Sequence, residues 1–285
     1  MLGEKGEVMA YSPNAKLKPS TIKKYEEGKK MYLEGKSIEQ IALTLHLERR
    51  KFSHYLKDSG IEVKNPTVKR KLNEDYFTTI DTEDKAYWLG FLYADGCVNV
   101  RTKNGRAKSM NLEVGLKRSD EGHLVKLAKS LDYENYKINH REQTNSVRII
   151  IGSTKLCRGL VDKGCIPNKS LKLQFPDFLP THLIDHFIRG YMDGDGYIGV
   201  RHNRTCQTLR VGVIGTLSML EGIVKHFGLQ ADDYHLYRDK RHNEAIYSIE
   251  FYKNAALKVA KIYKDSKIHL TRKYDLVLPF IENVD

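Results

Sequence analysis

The apolar positions of the first 63 residues recur at helical spacing and predict a small helical module. Helical periodicity begins at Ser20, and Gly35 is placed to end this first helix. Ser37 and Gln40 have the spacing of a capping box, which opens a second, short helix. The buried face of that helix consists of Ile38, Ile41, Ala42 and Leu45. A third helix is predicted over residues 48–58, with Gly60 at its end.

The predicted third helix has one apolar and one basic face. Phe52, Tyr55 and Leu56 are expected to point inward. The outward positions are basic or polar: Arg49, Arg50, Lys51, Ser53, His54 and Lys57. A short helix, a tight turn and a helix with such a face are typical of a helix-turn-helix module that binds DNA through the major groove. The alternative is a small bundle that only packs on its neighbour, because exposed charge on a helix is commonly plain solvation.

The rest of the chain contains an internal repeat. The segment YWLGFLYADG at residues 87–96 aligns with FIRGYMDGDG at residues 187–196, at an offset of 100. After the first block the pattern predicts strands at 97–101 and 110–116, a helix at 120–131, strands at 136–141 and 146–152, and a helix at 154–163. After the second it predicts strands at 197–202 and 208–215, a helix at 217–227, strands at 234–239 and 245–253, and a helix at 255–265. The predicted class is α+β, with two αββαββα repeats.

These patterns divide the chain into five parts. We predict a flexible N-terminus at residues 1–18, the helix-turn-helix module at 19–63, a basic linker at 64–75, and repeats at 76–181 and 182–285.

The charge and composition narrow the possible partners. The 285 residues include 48 Lys and Arg against 36 Asp and Glu, a net charge of +12. Such an excess attracts polyanions, nucleic acid among them. No apolar run is long enough to span a membrane and no export signal begins the chain, so an intracellular, soluble protein is expected. The four cysteines lack paired zinc spacing, which excludes a zinc finger.

The two repeated blocks also predict a helix interface with acids at its end. Gly90 and Ala94 in one block, and Gly190 and Gly194 in the other, are four residues apart, so two helices could approach closely through these faces. Such packing would bring the acids that end the blocks, Asp95 and Asp195, side by side at the negative ends of both helices. Paired carboxylates need a cation to stay ionised. Mg²⁺ suits one or two carboxylates with water and phosphate oxygens, and it could activate a water molecule against a phosphodiester.

The blocks resemble the LAGLIDADG motif, as WLGFLYADG at 88–96 and IRGYMDGDG at 188–196. The chain resembles a monomeric, two-motif LAGLIDADG homing endonuclease over residues 76–285, including the segments 166–170 and 270–275. The resemblance implies a saddle of two four-stranded antiparallel sheets over double-stranded DNA, with the motif helices at its centre. It also implies cleavage of both strands with Mg²⁺ or Mn²⁺, leaving 3′ overhangs, while Ca²⁺ is expected to bind without supporting cleavage.

The resemblance assigns candidate site residues. The acidic metal ligand of the motif maps onto Asp95 and Asp195, with Ala94 and Gly194 included in the predicted metal site. The family uses lysines to order water in the active site, and the candidates here are Lys253, Lys169 and Lys273; the alternative is that they are ordinary surface lysines. The earlier acid of the motif is Tyr93 in one block and Asp193 in the other. Asp193 is predicted to be a cap or helix-end group rather than a ligand.

Alternation along the first two strands of each repeat predicts the DNA interface. Val98, Val100, Leu112, Val114 and Leu116 share one face of the first hairpin, as do Ile198, Val200, Leu209, Val211 and Val213 in the second. The opposite faces hold side chains that can contact base edges: Asn99, Arg101, Lys103, Asn111, Glu113, Tyr197, Arg201, Asn203 and Arg210. Near the hairpin tips, Lys103, Arg106, Lys108 and Arg204 suit phosphates. A merely solvated sheet face would show the same alternation.

These features together predict a site-specific DNA endonuclease that acts as a monomer, since both motifs are in one chain. One alternative is a LAGLIDADG-type RNA maturase that assists intron splicing, and another is a DNA-binding regulator without catalysis. Both acids are present, which favours cleavage over either alternative.

Overall fold

The chain folds into two compact units, Met1–Lys69 and Arg70–Asp285. In the computed structural model the described residues are 19–63, 71–103, 105–202, 207–238 and 246–282. The flexible N-terminus predicted at 1–18, the linker residues 64–70, and Asn203 and Arg204 lie outside the described residues, as do the side chains of Lys103 and Arg106. Among the described helices, none has the length and apolar character needed to cross a bilayer.

The first unit contains three helices, as the apolar pattern predicts. They are α1 (Pro19–Leu33), α2 (Ile38–Leu45) and α3 (Arg49–Asp58). The capping box is confirmed, because the Gln40 amide donates to the Ser37 hydroxyl at 3.2 Å and the Ser37 amide donates to the Gln40 side chain at 3.0 Å. Gly35 has φ +94°, a left-handed conformation that ends α1 at little cost for glycine. The unit has its own core of Tyr25, Ile41, Phe52 and Leu56.

The second unit contains two copies of one order of elements, which confirms the predicted α+β class. The first copy comprises α4 (Glu83–Asp95), β1 (Gly96–Lys103), β2 (Arg106–Lys117), α5 (Glu121–Ser130), β3 (Ile138–Arg141), β4 (Ser146–Ile151) and α6 (Thr154–Asp162). The second comprises α7 (Thr181–Asp195), β5 (Gly196–His202), β6 (Gln207–Gly215), α8 (Leu217–His226), β7 (Tyr234–Arg238), β8 (Tyr247–Phe251) and α9 (Lys253–Ala260). A further helix, α10 (Thr271–Ile281), follows the second copy.

The end of the predicted linker belongs to the second unit. Residues 71–75 were assigned to the linker because they are polar, but the Asn73 amide donates to the Leu131 carbonyl at 2.8 Å. Lys71 also pairs with Glu134 at 3.1 Å, and Leu72 packs against the core. The prediction of a linker is therefore wrong for these five residues, since their contacts come from a segment distant in sequence.

Two four-stranded antiparallel sheets repeat the same topology, β1-β2-β4-β3 and β5-β6-β8-β7. The registers correspond, since Gly96 faces Val114 in one sheet and Gly196 faces Val213 in the other. The predicted alternation is confirmed for the described residues, with apolar side chains on the helix-covered face of each sheet. Val100 departs from it: this side chain is 38% exposed, because it lies near the hairpin end of β1, beside the irregularity after Arg101.

The core is continuous across the two repeats, and α4 and α7 run through its centre. Every residue of α4 from Ala86 to Tyr93 is buried, as is α7 from Phe187 to Asp193. Helices buried over so long a stretch must be surrounded by protein, and in α7 the polar residues Arg189 and Asp193 are buried with the apolar ones. Two thiols of the core, Cys157 and Cys165, are buried, whereas Cys97 is exposed on β1.

Candidate functional site

The motif helices α4 and α7 contact each other backbone to backbone. A Cβ added to Gly90 would lie 1.9 Å from the carbonyl oxygen of Phe187, and one added to Gly190 would lie 1.9 Å from that of Tyr87. These approaches are possible only for glycine, which explains why a residue unfavourable in helices occurs at both positions. The two contacts are equivalent, so the helices are related by a pseudo-twofold axis through this interface.

The same packing places the two acids together. A Cβ added to Gly194 would lie 2.2 Å from the Ala94 Cβ and 3.2 Å from Oδ2 of Asp95. The carboxylate that ends α4 therefore lies over the last turn of α7, next to Asp195. Both carboxylates stand at the negative ends of helices, which disfavours their charge.

The surroundings of the acids oppose their ionisation. Burial raises the pKa of Asp95 to about 6, and the charge of Asp195 adds to this rise, while Lys273, Lys169 and Arg272 oppose it. Burial also raises the pKa of Asp195, although part of its side chain reaches solvent, because protein surrounds the carboxyl on its other sides. Two carboxyls that resist joint ionisation are suited to share a cation.

The raised pKa of Asp95 makes the folded protein sensitive to pH. Since the carboxyl binds its proton more tightly when folded than at its ordinary pKa of 3.8, folding stability is lost as pH rises from 3.8 to about 6. We expect the cation-free wild type to lose melting temperature across this window relative to Asp95→Asn, and added Mg²⁺ at neutral pH to restore it. Thermal unfolding at several pH values checks this; parallel pH profiles for the two proteins would contradict it.

Two of the three predicted lysines lie at the acid pair. Lys169 is 7% exposed and donates to the carbonyl oxygen of Ala94 at 2.9 Å. Lys273 is 3% exposed, and its burial lowers its pKa to about 8. It donates to three carbonyl oxygens around the end of α7, those of Met192 (2.6 Å), Asp193 (2.8 Å) and Gly196 (2.6 Å). Carbonyls at a helix end lack partners within the helix, and here the lysines satisfy them.

The third predicted lysine, Lys253, is in a different environment. The strand β8 ends at Phe251, and the chain turns at Lys253 (φ +40°) into α9. Its side chain is exposed, and its charge is not among those of the described residues that shift the pKa of Asp95 or Asp195. We leave Lys253 out of the proposed site.

Asp193 lies in the last turn of α7, as predicted for a helix-end group, and its side chain is held inside the core. Its side chain is 1% exposed, and burial raises its pKa. It accepts hydrogen bonds from the Tyr87 hydroxyl (2.6 Å), the Tyr263 hydroxyl (2.7 Å) and the Leu270 amide (2.7 Å). The sequence offered one signal for this role, an acid within a helix that is otherwise buried.

Asp195 opens onto two cavities. One, of about 270 Å³, is lined by Lys169 and Asp195 together with Ile214 and Gly215 at the end of β6. The other, of about 490 Å³, extends from Asp195 across the polar face of the second sheet. A lysine of the first repeat and an acid of the second therefore face the same space.

The polar face of the first sheet carries amides and charges. Asn99 donates to Asn111 at 3.3 Å, and Arg148 on β4 pairs with Glu113 at 2.9 Å. Arg101 and Lys108 are exposed. Arg148 was not among the residues predicted from the sequence, although its position among isoleucines in β4 alternates toward this face; its Nε is buried without a partner among the described residues.

The polar face of the second sheet is richer in aromatic rings. Arg210 pairs with Glu250 at 2.6 Å, and its guanidinium lies 5.5 Å from the centre of the Tyr197 ring. Tyr197 is 52% exposed and Tyr237 is 44% exposed, while Arg201 is also exposed. The two faces thus present different chemistry around equivalent backbones.

In the first unit, α3 presents the predicted polar face. Phe52 and Leu56 are buried and Tyr55 is half-buried, as expected. The opposite side chains are Arg49, Arg50, Lys51, His54 and Lys57, all exposed, with Ser53 half-buried. Part of this face lines a groove of about 1100 Å³ formed by the end of α1, the start of α2, and α3.

The donor set at the acid pair fits a hard divalent cation. Two carboxylates supply oxygen only, and within the described residues no group of three His, Cys, Asp or Glu side chains could hold a metal. Mg²⁺ accepts such a site because it keeps water in its shell, whereas structural zinc requires four protein ligands. The Ala94 carbonyl accepts a hydrogen bond from Lys169, whose charge opposes a cation on the same oxygen. The proposed cation site therefore rests on Asp95 and Asp195.

No protein-family model matches the sequence. A probable translation initiation factor IF-2 of Methanocaldococcus jannaschii is 28% identical over 194 residues, which are 65% of this chain and 14% of that protein. The chain thus spans a small part of that relative.

Solved structures similar to this chain include LAGLIDADG homing endonucleases, the family that the two sequence blocks resemble. I-LtrWI bound to its target DNA has a TM-score of 0.46 and 13% identity, and covers 73% of this chain and 90% of its own. I-AabMI bound to uncleaved DNA has a TM-score of 0.47 and 14% identity, and the match covers 69% of this chain and 90% of I-AabMI. I-CpaMI bound to uncleaved DNA has a TM-score of 0.48 and 14% identity, and the match covers 71% of this chain and 92% of I-CpaMI.

Proposed function

We propose that this chain is a site-specific, divalent-metal-dependent endonuclease that cuts both strands of duplex DNA and leaves 3′ overhangs. The observation that carries the proposal is the pairing of Asp95 with Asp195 at the contact of two motif helices, each of which leads directly into a sheet with a polar face. Paired carboxyls whose pKa values are raised by burial are typical of functional sites.

In the proposed reaction, Asp95 and Asp195 hold the cation. Mg²⁺ or Mn²⁺ bound there would lower the pKa of an attacking water and stabilise the leaving oxygen, whereas Ca²⁺ would bind without supporting cleavage. The carboxylates themselves supply the negative charge that retains the cation against twelve net positive charges.

The two lysines complement the acids. Lys169 lines the cavity of Asp195, and among the lysines Lys273 has the larger influence on Asp95. The lysine with the larger effect on the pKa of each acid therefore comes from the other repeat, Lys273 for Asp95 and Lys169 for Asp195. A buried ammonium near a carboxylate can orient a water molecule or offset the charge that develops on a cleaved phosphate. One acid and one lysine for each strand suit a cut through both strands of DNA.

The sheets supply the proposed DNA interface. Arg101, Asn99, Asn111 and Glu113 on one face, with Arg210 on the other, can contact base edges, and Lys108 suits a phosphate. Hydrogen bonds and ion pairs hold four of these side chains in position before DNA binds, which lowers the entropic cost of recognition: Asn99, Asn111, Glu113 and Arg210.

The first unit is proposed to make a second DNA contact through α3. The helix is the third of three, follows a short turn after α2, and presents a basic face, an arrangement typical of a helix-turn-helix module. Arg50 and His54 lie on the exposed face, whereas Arg49 is paired with Glu39 at 3.6 Å. Arg50 and His54 are thus the best candidates for direct contacts.

Deleting residues 1–69 is expected to weaken DNA binding and lower its salt dependence while cleavage chemistry persists. The cut is placed at the unit boundary because Lys71 and Asn73 bind the second unit. Each lost phosphate contact should reduce the slope of log K against log salt by about 0.9. Binding titrations at several salt concentrations measure this slope. The full-length double variant Arg50→Ala, His54→Ala tests the same face without truncation, and unchanged affinity and slope in both proteins would exclude the contact.

A further inference from the structure

The segment leading into α10 is bound to both repeats, residue after residue. Its contacts are Arg189 to the Ile268 carbonyl (3.0 Å), Lys126 to the His269 carbonyl (3.3 Å), the Leu270 amide to Asp193 (2.7 Å) and Arg272 to Asp120 (2.9 Å). Lys126 and Asp120 belong to the first repeat, and Arg189 and Asp193 to the second. The segment that carries Lys273 is therefore fixed from two directions.

Asp193 contacts this segment twice. Its carboxylate accepts the Leu270 amide, and its carbonyl oxygen accepts Nζ of Lys273 at 2.8 Å. Leu270 and Lys273 are separated by about one helical turn. The bond to the Leu270 amide therefore fixes the first turn of α10, from which the Lys273 side chain extends. The Asp193 carbonyl oxygen binds Nζ at the far end of that side chain.

The carboxylate of Asp193 is itself held by a buried network. The Tyr87 hydroxyl from α4 and the Tyr263 hydroxyl donate to its two oxygens, and Tyr87 also contacts Nε2 of His123 at 2.9 Å. Because Tyr87 donates to Asp193, His123 donates to Tyr87. The three hydrogen bonds to the Asp193 carboxylate satisfy both of its oxygens and favour a single geometry for this side chain.

The first repeat lacks this arrangement. Tyr93 occupies the position equivalent to Asp193, and its hydroxyl donates to the Lys163 carbonyl. Lys169 is bound to one carbonyl oxygen, whereas Lys273 is bound to three. The pseudo-symmetry of the motif helices is therefore broken at the residue that precedes the paired acids by two positions.

We propose that Asp193 is a positioning residue that seats Lys273 at the end of α7, so that the two lysines of the site are held unequally. Asp193 itself touches neither substrate nor cation in this account; it acts through Leu270 and its own backbone carbonyl. The seating of Lys273 by Asp193 is independent of the proposed endonuclease function, whereas its effect on strand cleavage rests on that function.

The direct test is chemical labelling of lysines in the full-length protein with an amine-acylating reagent at one fixed pH, followed by mass spectrometry of the peptides. In Asp193→Asn we expect labelling of Lys273 to rise roughly tenfold relative to wild type, the size expected when a hydrogen bond to a charged group is lost. Labelling of Lys169 should not change, which makes it the internal control. An unchanged ratio of Lys273 to Lys169 labelling would overturn the proposal.

A second variant separates positioning from misfolding. Tyr263→Phe keeps the Asp193 carboxylate and removes one donor, so Lys273 labelling should rise less than in Asp193→Asn. Thermal unfolding reports whether either protein has lost its fold. If Tyr263→Phe is folded and labels Lys273 no faster than wild type, the network does not seat the lysine.

Strand-specific nicking tests the consequence for cleavage. With each strand of a target duplex end-labelled, Asp193→Asn should slow the nicking of one strand more than that of the other. In a protein that already carries Lys273→Met, adding Asp193→Asn should slow nicking no further. Equal slowing of both strands, or further slowing in that background, would show that Asp193 does not act through Lys273. Failure of the wild type to cut any DNA would instead refute the proposed endonuclease function. The labelling experiment would still test whether Asp193 seats Lys273.

Discussion

Replacing either Asp95 or Asp195 by asparagine is expected to abolish double-strand cleavage while DNA binding is largely retained. Asparagine keeps the shape of the side chain but removes the charge that holds the cation, and the two carboxyls form the proposed cation site. The loss should be on the order of a hundredfold to a thousandfold, the usual cost of removing one charge-stabilising group from an active site. The sheet faces that are proposed to bind DNA are unaffected by either change.

The measurement combines a cleavage assay in Mg²⁺ with a binding assay in Ca²⁺. Asp84→Asn is a matched control, because Asp84 is an exposed acid in the first turn of the same helix as Asp95. The control should cut and bind like wild type. Cleavage at the wild-type rate by both Asp95→Asn and Asp195→Asn would show that the site lies elsewhere.

The second large effect concerns the helix interface. Gly90→Ala or Gly190→Ala would place a methyl group 1.9 Å from a backbone carbonyl oxygen of the facing helix. Backbone atoms in a closely packed core cannot move aside as a flexible side chain does, so α4 and α7 must separate. We expect each substitution to lower the free energy of unfolding by about 3 kcal/mol or more.

Gly122→Ala is the matched control for this experiment. Gly122 lies in α5, and a Cβ added there meets nothing within 4 Å. Alanine should therefore stabilise that helix by about 0.5–1 kcal/mol. Chemical denaturation of the three variants gives the comparison. A Gly90→Ala protein as stable as Gly122→Ala would refute the close contact of the motif helices.

The elements and their repetition could be predicted from the sequence because they depend on local patterns. The alternation of Val98 to Leu116 required only a period of two, and the capping box of Ser37 required only a spacing of three. The meeting of Asp95 with Asp195 followed from small residues repeated at the same spacing in both blocks. In each case the signal is a spacing within a short segment, or its repetition in a second segment.

The remaining contacts of the site depend on partners far apart in the chain. Asp193 is bound by Tyr87, 106 positions away, and by Tyr263, 70 positions away, and no spacing relates these residues in advance. The resemblance placed Lys253 at the end of the strand predicted over 245–253, whereas β8 ends at Phe251 and Lys253 begins α9. The linker assignment of residues 71–75 was wrong for the same reason, since Leu131 and Glu134 supply their partners.

Incubating the purified chain and Mg²⁺ with a library of randomised duplex DNA, and sequencing the ends produced, tests the proposed cleavage. We expect breaks in both strands at one sequence, with 3′ overhangs, and none when Asp95→Asn or Asp195→Asn replaces the wild type. Binding of duplex DNA without any breaks by the wild-type protein, or breaks that persist in both variants, would contradict it.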